Sequence, residues 1–82
     1  NPFTPVTQID YDVPQEGLAR MVIYDVMGRE VKELINQNLA AGYHTIRWDG
    51  TNSRGMNVSA GLYFCSLITG SFNKTMKLLL LK

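Results

Sequence analysis

The sequence predicts an all-β domain, an antiparallel sandwich or barrel, and three observations carry that expectation. Apolar and polar residues alternate at a period of two in several short runs, which is the pattern of half-buried strands. Turn-forming residues separate these runs at intervals of about 8–12 residues, the spacing of small all-β domains. No segment holds a sustained helical stripe. Val31, Leu34 and Ile35 have the spacing that could begin one, but the run is short and β-branched residues resist helix.

The first predicted strand runs from Val6 to Val13, with Thr7, Ile9, Tyr11 and Val13 on one face and Gln8, Asp10 and Asp12 on the other. Pro14 ends it, and Gln15-Glu16-Gly17 makes a turn. Leu18 to Val26 follows, with Ala19, Met21 and Ile23 on one face. Arg20, Val22 and Tyr24 lie on the second face, which the arginine marks as only partly covered. Asp25 to Arg29 turns the chain. A third run spans Glu30 to Leu34, and the polar Asn36-Gln37-Asn38 is expected to be a loop. Tyr43 to Trp48 is a fourth run, facing His44, Ile46 and Trp48 one way. Asp49 to Asn57 is the longest turn-rich segment; Leu62 to Ile68 and Phe72 to Leu81 complete the chain around a turn at Thr69-Gly70-Ser71. Ile9, Met21, Ile23, Ile46, Trp48 and Leu67 are the predicted core between two sheets.

Eighty-two residues make one domain. A chain this short buries only about 60% of its unfolded surface, so its large apolar residues, part of a 45% hydrophobic composition, are needed inside. The formal net charge is +1 with both signs interspersed, which is not the clustered basic face of a nucleic-acid binder. No apolar run reaches the roughly 20 residues that span a bilayer. The chain opens on Asn1, not Met, and is expected to be a piece of a longer secreted precursor whose export signal lies upstream.

Candidate chemistry is sparse. The single cysteine, Cys65, lies in an apolar run and reads as a small buried hydrophobe with no electropositive setting to activate it. His44, the only histidine, shares a strand face with Ile46 and Trp48, a core-edge position without the nucleophile and orienting acid that catalysis needs. Asp10 and Asp12 project from one strand face as a solvated pair. Asp49 to Gly55 has some likeness to a calcium loop but lacks acidic or amide residues at every second position and a closing Glu. The expectation is therefore no enzyme, no cofactor, no metal and no small-molecule substrate. Asp25 and Asp49 are expected to bond loop N–H groups in turns with Gly28 and Gly50, and Gly61 to serve a third turn.

Five segments in order resemble a known family: Asn1-Pro-Phe-Thr-Pro5, Ile23-Tyr-Asp-Val-Met-Gly-Arg-Glu-Val31, Ala41-Gly-Tyr-His-Thr-Ile-Arg-Trp-Asp-Gly50, Ser59-Ala-Gly-Leu-Tyr-Phe64 and Lys77-Leu-Leu-Leu-Leu-Lys82. Together they are similar to the type A C-terminal sorting domain of the type IX (Por) secretion system, itself similar to the immunoglobulin-like domain of flagellar hook-capping proteins. The resemblance covers essentially the whole chain, with Cys65 a departure from it. It implies an immunoglobulin-like sandwich of about seven strands at the C-terminus of a cargo protein. The implied partners are an outer-membrane translocon and a sortase-like cysteine peptidase, and the implied location is secreted or at the cell surface.

Four consecutive leucines give the last strand one apolar face too many for a sandwich. Either Leu78 and Leu80 or Leu79 and Leu81 should be exposed, between the flanking charges of Lys77 and Lys82. The expectation is that Lys77, Leu78, Leu79, Leu80, Leu81 and Lys82 form the element the secretion machinery reads, by strand addition, with self-association through this strand as a further consequence. Two alternatives stand beside it. One is a structural module of the hook-cap kind, which the leucine-rich stop at Lys82 disfavours. The other is a carbohydrate-binding module, which would need Tyr24, Tyr43, Trp48 and Tyr63 as an exposed row.

Overall fold

Within residues 7–81, which the computed structural model describes, the chain forms six strands and no helix. They are β1 (Thr7–Val13), β2 (Gly17–Tyr24), β3 (Glu30–Leu39), β4 (Gly42–Trp48), β5 (Gly61–Thr69) and β6 (Phe72–Leu80). Every ladder is antiparallel. A four-stranded sheet has the order β3-β2-β5-β6, and a two-stranded sheet pairs β1 with β4. The all-β sandwich is thus as the alternation predicts. Val6 and Lys82 lie outside the described residues.

Six strands stand where about seven were expected. The stretch between β4 and β5 forms only an isolated bridge, Thr51 to Asn57. Its Asp49 and Asn52 side chains bond local backbone N–H groups, and such local bonding competes with a ladder. The opposite correction applies to β3. It runs on through Asn36, Gln37 and Asn38 to Leu39, because β2 offers a ladder: Asn36 pairs with Arg20 and Asn38 with Leu18. A ready partner overrides the weak strand preference of asparagine.

β3 also explains the helix-like spacing of its apolar residues. Its register against β2 slips between Met21 and Val22 and again between Ile23 and Tyr24. The partners jump from Ile35 to Glu33 and from Lys32 to Glu30, leaving Leu34 and Val31 as the extra residues of two bulges. Val31 and Leu34 pack against the core and Ile35 is buried in it. Strict alternation could not put all three inward.

The core lies between the two sheets. Ile9, Tyr11 and Val13 of β1 face Ala19, Met21 and Ile23 of β2 and Tyr63, Cys65 and Leu67 of β5 within one apolar cluster that Trp48 closes. Five of the six predicted core residues are fully buried; Ile46 is only half-buried. It sits on β4, one of just two strands laid over a four-stranded sheet, so its cover is incomplete. Val26, predicted to lie in the second strand, falls in the following turn and is exposed.

Candidate functional site

Two loops at one end of the sandwich use the same hydrogen-bond scheme. In the first, Asp25 Oδ1 accepts from the N–H of Met27 and of Arg29, each at 2.9 Å. Gly28 N–H donates to the Asp25 carbonyl, and Asp25 N–H donates to the Arg29 carbonyl, both at 3.0 Å. In the second, Asn52 Oδ1 accepts from the N–H of Arg54 at 2.9 Å and of Met56 at 3.1 Å. Gly55 N–H donates to the Asn52 carbonyl at 2.9 Å, and Asn52 N–H to the Met56 carbonyl at 2.8 Å. Gly28 and Gly55 have φ of 81° and 78°, a left-handed conformation that costs a residue with a Cβ about 1–2 kcal/mol. A short side-chain acceptor followed three positions later by glycine is what this loop requires.

The two loops are neighbours. Ser53 N–H donates to the Val31 carbonyl at 3.1 Å, and a cleft of about 300 Å³ between them is lined by Asp25, Arg29, Asn52, Arg54 and Met56 among others. Arg29 Nε donates to Asp25 Oδ2 at 2.9 Å. The Asp25 carboxyl is held below the usual carboxylate range, first by the Arg29 backbone N–H; loss of hydration opposes this, and the Arg29 side chain and the Met27 N–H add to the lowering.

Asp49 holds the entrance of the second loop. Its Oδ1 accepts from Thr51 Oγ1 at 2.6 Å and Thr51 N–H at 3.1 Å, with Lys32 Nζ at 3.7 Å. The Thr51 hydroxyl is the main cause of its lowered pKa. Gly50 has φ of 76°, and a Cβ there would come within 3.2 Å of Leu80. Gly61 opens β5 with φ of 142°. Asp25, Gly28, Asp49, Gly50 and Gly61 are all turn or strand-entry residues. What the sequence reading missed is that Asn52-x-x-Gly55 repeats Asp25-x-x-Gly28, although the shared spacing was there to be read.

The terminal strand divides. Leu78 and Leu80 point into the core, whereas Leu79 and Leu81 are 60% and 68% exposed and Lys77 is exposed. Lys82 lies outside the described residues. Leu79 sits opposite Leu62 in the β5–β6 ladder.

The remaining candidates fall into local contacts. His44 stacks on Tyr11 with centroids 5.4 Å apart, and its Nε2 bonds the Ala40 carbonyl at 2.7 Å. Asp10 Oδ1 accepts from Thr45 Oγ1 at 2.8 Å and Gln8 Nε2 at 3.1 Å. Cys65 is fully buried, and burial pushes its thiol up to about 11. A larger groove of about 750 Å³ lies at the opposite end of the sandwich, between Pro14–Leu18 and Ile68–Phe72. Arg20 reaches it but is committed to Glu33 at 2.7 Å and Glu30 at 3.3 Å.

Comparison with known proteins bears on what this arrangement serves. The family model of the FlgD Ig-like domain matches residues 6–69. FlgD from P. aeruginosa superposes with a TM-score of 0.73 at 27% identity, covering 92% of this chain and 58% of its own. FlgD from Xanthomonas campestris, whose structure is described in terms of the hook capping essential for flagellar assembly, gives 0.71 at 27% identity, covering 94% and 56%. The chain thus spans less than two thirds of either protein. No curated protein matches it by sequence.

These findings correct the functional expectation. The match is to the FlgD Ig-like domain and to FlgD structures, not to a type IX sorting domain. The sorting role, the translocon and the sortase-like peptidase expected as partners go with that reading. The motifs within residues 7–81 that carried it prove to be loop closures, such as Asp25 with Gly28, and core positions, such as Trp48 and Tyr63. They specify a fold and do not separate one use of it from another. The end of the sequence at Lys82 says nothing against a hook-cap module. A carbohydrate platform fares no better, since of its four aromatics only Tyr43 is exposed.

Proposed function

We propose a function from one premise: the chain belongs to the FlgD Ig-like domain family. It is a non-catalytic structural domain, as hook-capping scaffold proteins of the FlgD kind are. In the proposed reading it is the immunoglobulin-like module of a hook-capping-type protein and acts in flagellar hook assembly by protein–protein contact. The observation that carries this is the superposition of 94% of the chain on the hook-capping protein of Xanthomonas campestris at 27% identity. An extracellular location, expected from the sequence, forms part of the same proposal.

The test is domain replacement. Residues 1–82 are exchanged for the Ig-like domain of a hook-capping FlgD in a flagellated strain that lacks the native copy. Hooks visible by electron microscopy and restored swimming are the expected outcome. A chimera that is stable and exported yet leaves the strain without hooks overturns the proposal.

A further inference from the structure

The paired loops do more than turn the chain. Val26 and Met27 at the first loop and Met56 at the second are 62%, 75% and 52% exposed. Leu62, Leu79 and Leu81 are exposed at the same end: Tyr24, the last residue before the first loop, pairs with Phe64, and the next outward pair along β5 and β6 is Leu62 with Leu79. Six of the large exposed apolar side chains thus gather at one end. Clustered exposure of this kind marks a contact surface. Methionine suits such a surface because its flexible thioether adapts to the shape of what it meets.

The charges at this end are unbalanced. Each carboxylate here has a cation beside it: Asp25 has Arg29, Asp49 has Lys32, and Glu30 shares Arg20 with Glu33. Arg54, within the second loop, and Lys77, opposite Phe64 on β6, have no ion-pair partner among the described residues. The surface therefore offers an apolar patch with two uncommitted positive charges beside it. Its backbone is already fixed by the two loop schemes, so little ordering entropy opposes binding.

We infer that this end is a docking surface for an amphipathic segment of another protein, one whose apolar residues are flanked by Asp or Glu. The apolar residues would cover Met27, Met56 and the Leu62–Leu79 pair, while the carboxylates meet Arg54 and Lys77. The inference goes beyond the hook-assembly reading and stands without it.

The experiment titrates the 82-residue chain, labelled with nitrogen-15, with three synthetic 18-residue peptides: an amphipathic Leu/Glu peptide, its Leu/Lys counterpart and a Ser/Glu peptide without apolar residues. The Leu/Glu peptide is expected to shift amides of residues 26–29, 53–56, Leu62 and Leu79, and the other two to bind at least tenfold more weakly. Met27→Ser with Met56→Ser should weaken Leu/Glu binding at least tenfold with an unchanged Tm, because both side chains are exposed. Arg54→Glu with Lys77→Glu should reverse the preference toward the Leu/Lys peptide. Equal binding of the Leu/Glu and Leu/Lys peptides overturns the inference. So do shifts confined to the Leu18–Phe72 groove, or no shifts at millimolar peptide. Because the readout is binding by the isolated chain, it is independent of whether hooks form in the domain replacement.

Discussion

Trp48 and Tyr63 meet edge to face, with ring centroids 5.1 Å apart and planes at 74°, and each gives its polar hydrogen to the loop that joins their strands. Trp48 Nε1 donates to the Thr51 carbonyl at 2.9 Å and Tyr63 Oη to the Ser59 carbonyl at 2.6 Å. The pair therefore anchors the long loop near both of its ends while filling the core. Trp48→Ala should cost about 3–5 kcal/mol, comparable with the whole stability of a small domain. Tyr63→Phe keeps the ring contact and should cost about 1 kcal/mol for the hydrogen bond. Urea titrations followed by circular dichroism check both; a Trp48→Ala midpoint close to the wild type would contradict the packing described.

Gly50 and Gly28 should answer differently to alanine. Both have positive φ, so each Gly→Ala change incurs the left-handed cost of about 1–2 kcal/mol. Only Gly50 also meets a neighbour: the new Cβ would press on Leu80, whereas nothing lies within 4 Å of the position at Gly28. Gly50→Ala is expected to lower the thermal midpoint more than Gly28→Ala. Equal losses would show that Leu80 yields freely.

Acid should weaken the first loop, which Asp25 closes, and the entrance of the second, which Asp49 holds. The folded-state pKa values of Asp25 and Asp49 are lowered, so the stability they confer is present above the unfolded value of about 3.9. It is lost as the pH falls through their lowered folded values. Asp25→Asn keeps an oxygen for the loop N–H groups but cannot titrate, so with Asp49→Asn it should flatten the acid limb of the stability curve below about pH 4. Thermal melts across that range make the comparison. An unaltered acid limb would place the acid sensitivity elsewhere.

Alkali acts through Cys65 with the opposite sign. Its folded-state thiol is pushed up to about 11 from 9.0 by burial. The unfolded chain therefore releases the proton first, and stability falls as the pH rises from about 9 to about 11. Cys65→Ala should reduce that fall at some loss of packing. In the native wild type the thiol should resist Ellman's reagent at neutral pH and react only as fast as the domain opens. Immediate reaction of folded protein would mean that the thiol is accessible.

The outward and inward leucines of the last strand should separate cleanly. Leu80→Ala removes a fully buried side chain and should cost about 2–5 kcal/mol. Leu79→Ser with Leu81→Ser should change stability by less than about 1 kcal/mol, since substitutions at exposed positions seldom do more. Paired denaturant midpoints decide it, and a large loss in the Leu79/Leu81 variant would show that a neighbour covers that face.

Much of this architecture was legible because alternation reports burial directly. β1 shows it best, with Ile9, Tyr11 and Val13 buried and Gln8, Asp10 and Asp12 exposed. β3 was harder, since its bulges break the period of two and its asparagines join the ladder only because β2 lies alongside. Asp25 and Asp49 could be read as loop closers from residue type and a nearby glycine. The grouping of Met27, Met56 and Leu79 at one end could not, since it depends on which strands neighbour one another. Nor could the use of the domain: the residues that suggested a sorting signal are those that close loops and fill the core.

The small sheet has a kinetic consequence. β2 with β3 and β5 with β6 are hairpins that can close locally, the second through the two-residue turn Gly70-Ser71 with Gly70 at φ 57°. β1 pairs only with β4, across the whole intervening β2–β3 hairpin. Loop closure must be completed before such a distant ladder gives any return. We expect the larger sheet to condense first and β1 to dock last, so that Ile9→Val chiefly speeds unfolding while Leu67→Ala chiefly slows folding. Stopped-flow chevrons of the two variants would show whether β1 is the last strand of the domain to find its place.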